Sequence, residues 1–499
     1  MQLPRTFHNR LSYAGSAIAA LGLAVFGFLL FFHVVTGAEH TPYAGIVLFV
    51  MVPAIILLGV FLVPLGALLA WRRIRRTGEH EVPRLPVLDL NLPRHRNVLL
   101  LAAVAGLVLL FLSVFGGYQA YETTESVAFC GQLCHSVMEP EYTAYEHSPH
   151  ARVACVDCHV GPGASWGVRS KLTGLYQVYA VAFDTYPRPI PAPIESLRPA
   201  RQTCEECHWP RQFFGEQHRQ MVHFLPDESN TPWRIDMRIK TGGGLLEIGG
   251  AEGIHWHMNL AHRLEYFARD PEHQDIPWVR VTNGDTGEVS VYASASEPPS
   301  ADEIAHAEIR TMDCMDCHNR PTHIFRSPSF SVNRAMIARR IDPSLPYVKK
   351  KGVELLVAEY ASKEEGLAAI AEGLRTFYEA EYPELAEERA QAVEQAASEL
   401  QEIYRRGFFP EMKVRWDTYA DNAGHLDSPG CNRCHDEDHR SADGRTLERS
   451  CNTCHLVVAQ GPPGDVETAV EGLPFRHPED IDGAWEHLPC SDCHTGTLP

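Results

Sequence analysis

Six stretches of this 499-residue chain read Cys-x-x-Cys-His: Cys155/Cys158/His159, Cys204/Cys207/His208, Cys314/Cys317/His318, Cys431/Cys434/His435, Cys451/Cys454/His455 and Cys490/Cys493/His494. A seventh, Cys130/Cys134/His135, carries three residues between its thiols instead of two. Two thiols at this spacing can form thioethers to the two vinyl groups of one haem, and the adjacent histidine then lies under the iron as proximal ligand. Seven motifs consume fourteen cysteines, and the chain has fourteen. No thiol remains for a structural disulfide or a free nucleophile, so the cysteine count points to seven haem c groups. Zinc is the competing reading, but zinc sites do not demand a histidine directly after every second cysteine. For the longer first motif alone, a Cys130–Cys134 disulfide is the alternative.

A six-coordinate haem needs a second axial ligand. Outside the motifs, residues 119–499 contain fourteen further histidines, a supply that argues against irons left open for substrate chemistry. His150, His223, His257, His323, His439, His477 and His487 are favoured, because each lies close to a motif or in an apolar or aromatic setting; His425 and His255 are the substitutes. The first site differs. Met138 lies three residues past His135, and a thioether ligand would raise that haem's potential relative to bis-histidine neighbours. The alternative is that Met138 only packs on the porphyrin.

The elements that must position these groups begin in a membrane. Leu11 to Val35, Tyr43 to Trp71 and Val98 to Gly117 lack Lys, Arg, Asp and Glu, and each reaches the roughly 20 residues needed to span a bilayer. Arg72, Arg73, Arg75, Arg76, Arg84, Arg94 and Arg96 lie between the second and third runs, whereas the loop at 36–42 has no Lys or Arg. The positive-inside bias makes the N-terminus and the arginine loop cytoplasmic, which puts everything after Gly117 on the periplasmic side of a bacterial inner membrane. That is the compartment where c-type haem is attached. The three runs contain one histidine, His33, too few for a membrane-embedded b-type haem. Pro53 and Pro64 are expected to kink the second helix.

Residues 119–499 hold 35 basic and 59 acidic residues, which excludes nucleic acid as a partner and suits soluble cytochromes instead. The expected fold is three transmembrane α-helices plus a periplasmic multihaem c-type domain with sparse, mainly α secondary structure and a small β-hairpin. The expected modules are 1–118, the anchor; 119–184, two haems next to the membrane; 185–330, two haems and the hairpin; 331–411, a helical insert; and 412–499, three haems. The hairpin is read at 278–293, alternating around Asn283-Gly284. The insert, without Cys or His between 347 and 406, is read as two amphipathic helices broken near Pro383. Haem faces, rather than aliphatic side chains, are expected to form much of the core.

The stretch 129–163, Phe-Cys-Gly-Gln-Leu-Cys-His through Cys-Val-Asp-Cys-His-Val-Gly-Pro-Gly, follows directly on the third apolar run. With Met138 after the first motif and Ser148-Pro149-His150 before the second, it resembles the NapC/NirT family of membrane quinol dehydrogenases over about residues 98–210. The resemblance implies oxidation of menaquinol beside the first haem, with a lysine near the quinone. The matching residue is Lys171, twelve residues past His159. Family members typically have one span and four haems, and an acidic residue expected two turns beyond the lysine falls here at Gln177 and Val178. The resemblance therefore implies a quinol dehydrogenase that takes electrons from the menaquinone pool and passes them to periplasmic c-type cytochromes. The seven motifs and three spans together are similar to the seven-haem inner-membrane cytochromes of metal-respiring bacteria, which implies respiration directed to extracellular or metal-oxide acceptors. Glu139, Glu141, Lys171 and Asp184 are candidates for a proton path. The alternative is a terminal reductase of the nitrite or hydroxylamine type, which needs an open or lysine-ligated haem; no Cys-x-x-Cys-Lys motif occurs.

Overall fold

Long apolar runs near the N-terminus become three helices in the computed structural model, which describes residues 5–36, 51–77, 89–133, 135–161, 164–194, 198–208, 215–242, 253–259 and 261–498. They are α1 (Arg10–Thr36), α2 (Val52–Thr77) and α3 (Pro93–Glu125), each long and apolar enough to cross a membrane. Small residues let α1 and α2 approach closely, since a Cβ at Gly15 would meet the Gly59 carbonyl oxygen at 2.7 Å. Ser12 Oγ also donates to the Val63 carbonyl at 2.9 Å. Of the two prolines expected to kink α2, Pro64 lies inside the helix, and Pro53 is its second residue. Leu99, Leu107, Leu109 and Phe111 of α3 are exposed, an apolar surface that a bilayer would cover.

The chain folds as two compact units, and neither is continuous in sequence. One comprises Met1–Phe129 with Cys155–Ala182; the other comprises Cys130–Ala154 with Phe183–Pro499. The expected module 119–184 is therefore split, with the first motif in one unit and the second in the other.

The larger unit is richer in β structure than expected. Its four-stranded antiparallel sheet has the order β1 (Gln217–Phe224), β2 (Pro232–Ile239), β8 (His455–Gly461), β9 (Glu467–Leu473). A five-stranded sheet runs β6 (Arg310–Thr311), β3 (His262–Phe267), β4 (Trp278–Asn283), β5 (Val289–Ser294), β7 (His439–Ser441). The expected hairpin is β4–β5, with Trp278 opposite Ala293. Its connection is longer than a two-residue Asn-Gly turn: Asn283 Oδ1 accepts from the N–H groups of Asp285 and Thr286, and Gly287 takes φ +72°. Both sheets are completed by strands from the last third of the chain, so the segments expected as separate haem modules are interleaved.

The insert has its own aliphatic core. After α4 (His135–Glu146) and α5 (Ala164–Ala182) come α6 (Pro328–Ile337), α7 (Val348–Val357), α8 (Lys363–Glu381), α9 (Pro383–Glu388) and α10 (Ala390–Gly407). The break at Pro383 is present, with proline opening α9. A further break precedes α8. Ser362 accepts from Glu365 N–H while Glu365 Oε2 accepts from Ala361 N–H, which starts a new helix. Leu356, Ile370, Leu374, Tyr378 and Leu400 are fully buried together. Glycine is required at Gly366, where a Cβ would meet the Tyr404 ring at 2.5 Å.

Candidate haem-binding sites

Short helical turns carry the motifs. Cys155–His159, Cys314–Cys317, Cys451–Cys454 and Cys490–Cys493 are single α-turns, and Cys204–Glu206 and Gly430–Arg433 are 3₁₀ turns. A helical turn brings thiols at i and i+3 to one face, as two bonds to one porphyrin require. The long first motif begins in a π turn, Phe129–Leu133. A π turn closes its hydrogen-bonded ring one residue later than an α-turn, so it can absorb the extra residue. Cys134 lies outside the described residues, as do the side chains of His135 and Lys171.

The motif thiols differ in exposure. Cys158, Cys207, Cys451 and Cys493 are exposed, whereas their partners Cys155, Cys204, Cys454 and Cys490 are half-buried. At motifs four and five both thiols are half-buried, namely Cys314, Cys317, Cys431 and Cys434. Cys130 of the first motif is half-buried as well.

Among the described residues, five motif histidines face another histidine. The centroid separations are 6.1 Å for His208 and His150, 6.4 Å for His318 and His255, 5.9 Å for His435 and His257, 6.0 Å for His455 and His425, and 6.1 Å for His494 and His477. An imidazole nitrogen binds a first-row metal at roughly 2 Å, so two rings on opposite sides of one ion have centroids about 6 Å apart. The pairs fit a bis-histidine haem iron.

Second contacts suit the same role. The Nδ1–H groups of His150, His255, His257, His435 and His477 can donate to the carbonyls of Pro321 (3.3 Å), Thr241 (2.7 Å), Ile254 (2.8 Å), Glu448 (3.1 Å) and Glu479 (2.8 Å). Such a bond fixes the tautomer in which Nε2 carries the lone pair for a metal. Burial lowers the pKa values of His257, His318, His425, His435, His455 and His494, keeping these rings neutral. Burial also pushes the Cys317 and Cys454 thiols up to about 11 and Cys434 to about 12.

Of the favoured distal histidines, His150, His257 and His477 are brought opposite motif histidines; His255 and His425, the substitutes, take the other two positions. His439 is a correction. Its Nδ1 bonds the Asp436 carboxylate at 2.9 Å and its Nε2 the Ile276 carbonyl at 2.7 Å, leaving no ring nitrogen for iron. Burial opposes the charge on His439, but the Asp436 contact outweighs it and raises the pKa. His223 is held on β1, where burial and then the Lys349 ammonium push it down to about 4; the ring facing His494 is His477. His487 closes the 3₁₀ turn Ala484–Glu486 and is not one of the five facing rings. His323 lies against Glu141, its Nδ1 3.0 Å from the Glu141 carbonyl. Met138 is half-buried on α4.

The carboxylates considered for a proton path are engaged elsewhere. Glu139 pairs with Lys363 at 2.5 Å, Glu141 with Arg320 at 3.4 Å, and Asp184 with Arg188 at 2.5 Å.

Comparison with known proteins decides the family. The model of the NapC/NirT cytochrome c family, N-terminal region, matches residues 93–189. Over 486 residues the chain is 43% identical to the cytochrome c-type protein ImcH of Geobacter sulfurreducens, covering 97% of this chain and 95% of that protein. The chain belongs to the NapC/NirT cytochrome c family. No solved structure matches it. This NapC/NirT cytochrome is a membrane-anchored, haem-bearing electron-transfer protein. The family match ends ahead of the third motif, so the five facing histidine pairs complete themselves in sequence beyond it.

Proposed function

We propose that this cytochrome is a seven-haem menaquinol dehydrogenase of the bacterial inner membrane, passing electrons to periplasmic c-type cytochromes. The observation that carries the reading is the placement of Cys155–Ala182, with the second motif and Lys171, in the same compact unit as the three membrane helices. Within that segment α5 exposes Leu172, Leu175, Tyr176 and Tyr179, an apolar stripe at helical spacing on the same helix as Lys171. A lipid-soluble quinol can approach such a face.

Bound haem c supplies one-electron carriers. The thioether cysteines and proximal histidines would hold them, with His150, His255, His257, His425 and His477 as distal ligands at motifs three to seven, and His323 and Met138 remaining candidates for the first two. Lys171 Nζ would hydrogen-bond the quinol oxygen and orient it. Oxidation of one quinol yields a quinone, two electrons and two protons, and the protons leave to the periplasmic side. The facing pairs argue against a terminal reductase, because a second imidazole closes the position that a substrate would need.

Quinol-driven reduction of the purified protein, followed haem by haem in a redox titration, tests the function; no reduction by a menaquinol analogue would overturn it. Intact mass should exceed that of the apoprotein by seven haems, and a value of six would point to failure at the long first motif. A reporter fused after Arg76 should behave as cytoplasmic and one after Thr123 as periplasmic; the reverse pattern would refute the orientation.

A further inference from the structure

The turn Ile254–Met258 sits where two facing pairs meet. His255 and His257 are separated only by Trp256, yet they face histidines of different motifs, His318 and His435. Its 3₁₀ geometry explains how. At three residues per turn, positions i and i+2 diverge by about 120° while advancing only about 4 Å along the axis. One tripeptide therefore addresses two sites.

Its backbone is fixed to β2's extension. Ile254 N–H donates to the Lys240 carbonyl at 2.9 Å and His255 N–H to the Gly242 carbonyl at 3.0 Å. Gly253, at φ +148°, permits this approach, since a Cβ there would meet the Lys240 carbonyl oxygen at 2.6 Å. Trp256 packs on His262 with centroids 4.6 Å apart.

The motifs addressed by the turn are also joined directly. Arg433, between the cysteines of motif five, donates to the carbonyl of Asp316, between the cysteines of motif four, at 2.7 Å. Neighbouring motifs are linked in the same manner. Ala200 N–H, ahead of motif three, donates to Asp313, the cap of motif four, at 3.2 Å. His435 of motif five bonds the Glu448 carbonyl just ahead of motif six at 3.1 Å. Arg449, beside motif six, donates to the Glu486 carbonyl ahead of motif seven at 2.9 Å. Each motif from three to seven is thus tied to the next.

We propose that the turn Ile254–Met258 is a two-haem clamp, with His255 the distal ligand at motif four and His257 the distal ligand at motif five, holding these haems as one interacting pair in a relay that runs in chain order from the third motif to the seventh. This rests on the reading of the motifs as haem sites. Because one short turn carries both ligands, the two irons cannot be displaced independently. A charge placed on one is felt by the other.

His255→Met and His257→Met in the full-length holoprotein test the clamp, read by electron paramagnetic resonance and a haem-resolved redox titration, with intact mass as the check on haem content. Each variant should lose one bis-histidine signal and raise one haem potential, since His/Met ligation raises it; the signal lost should differ between the two, and the double variant should lose both. In His255→Met the altered haem fills first, so its neighbour at motif five should become harder to reduce while those at motifs six and seven keep their potentials. His255→Ala and His257→Ala should each give one high-spin haem that added imidazole returns to low spin, an arm independent of how methionine fits. Gly253→Ala should perturb both signals together. The clamp is overturned if the two histidine variants alter the same haem, or if neither alters any in protein carrying seven haems. The chain order is overturned if the potential at motif seven moves and that at motif five does not. Fewer than seven haems in the unsubstituted protein would instead strike at the multihaem reading itself.

Discussion

Lys171→Ala is expected to slow reduction of the haems by a menaquinol analogue about tenfold or more, the equivalent of at least about 1.4 kcal/mol of lost binding or transition-state stabilisation. Lys171 lies on α5, whose exposed Leu172, Leu175 and Tyr176 make it a surface for an apolar molecule. A cationic head at that position would orient the quinol oxygen and favour loss of its proton. Dithionite, which does not use this site, should still reduce every haem in the variant at the unsubstituted rate. Lys171→Arg keeps the charge but changes the donor geometry, so an intermediate rate is expected from it. Quinol-driven reduction of Lys171→Ala at the full rate would remove the lysine from the site.

Lys349→Met is expected to flatten a pH dependence of stability that the unsubstituted protein shows between about pH 7 and 10. The Lys349 side chain is 2% exposed; its Nζ donates to the Ser329 carbonyl at 2.6 Å and to Ser329 Oγ at 2.9 Å. Burial pushes its ammonium down from an ordinary 10.5 to about 7, against a smaller opposing pull from Asp427. Above pH 7 the folded protein has released a proton that the unfolded chain keeps until its ordinary pKa, so stability rises with pH across that window. The slope is at most about 1.4 kcal/mol per pH unit for one proton. Below pH 7 both states hold the proton, and this group adds no further dependence. Denaturant midpoints of the two proteins at pH 6, 7.5 and 9 check this; parallel profiles would assign the dependence to another group.

Local chemistry was legible in the sequence, and long-range pairing was not. The motif turns, the three apolar helices and the β4–β5 hairpin each declare themselves within a few dozen residues. Distal ligation depends on which histidine the fold delivers. His425 and His439 lie at similar distances from Cys431 and His435 in sequence, yet His425 faces His455, while Asp436 and the Ile276 carbonyl capture His439. The His255-Trp256-His257 pattern offered a usable signal, because two histidines at i and i+2 cannot both ligate one iron from a tight turn. The sheets were hidden for a different reason: β8 starts at His455, inside a motif, and the residue paired with it, Ile239, lies far back in the chain. The helical insert divides into more than two helices because the Ser362 cap falls in an otherwise continuous periodic run.

The alternation of the chain between its two compact units, at Phe129, Ala154 and Ala182, bears on how the molecule can be taken apart. A single cut ahead of Cys130 would release a water-soluble fragment in name only: Cys155–Ala182, with its haem motif and its greasy helical face, would travel with the fragment but leave behind the membrane helices with which it forms one compact unit. Removing the anchor cleanly requires three cuts and one new join, Ala154 to Phe183. No single truncation or fusion point therefore separates the two units.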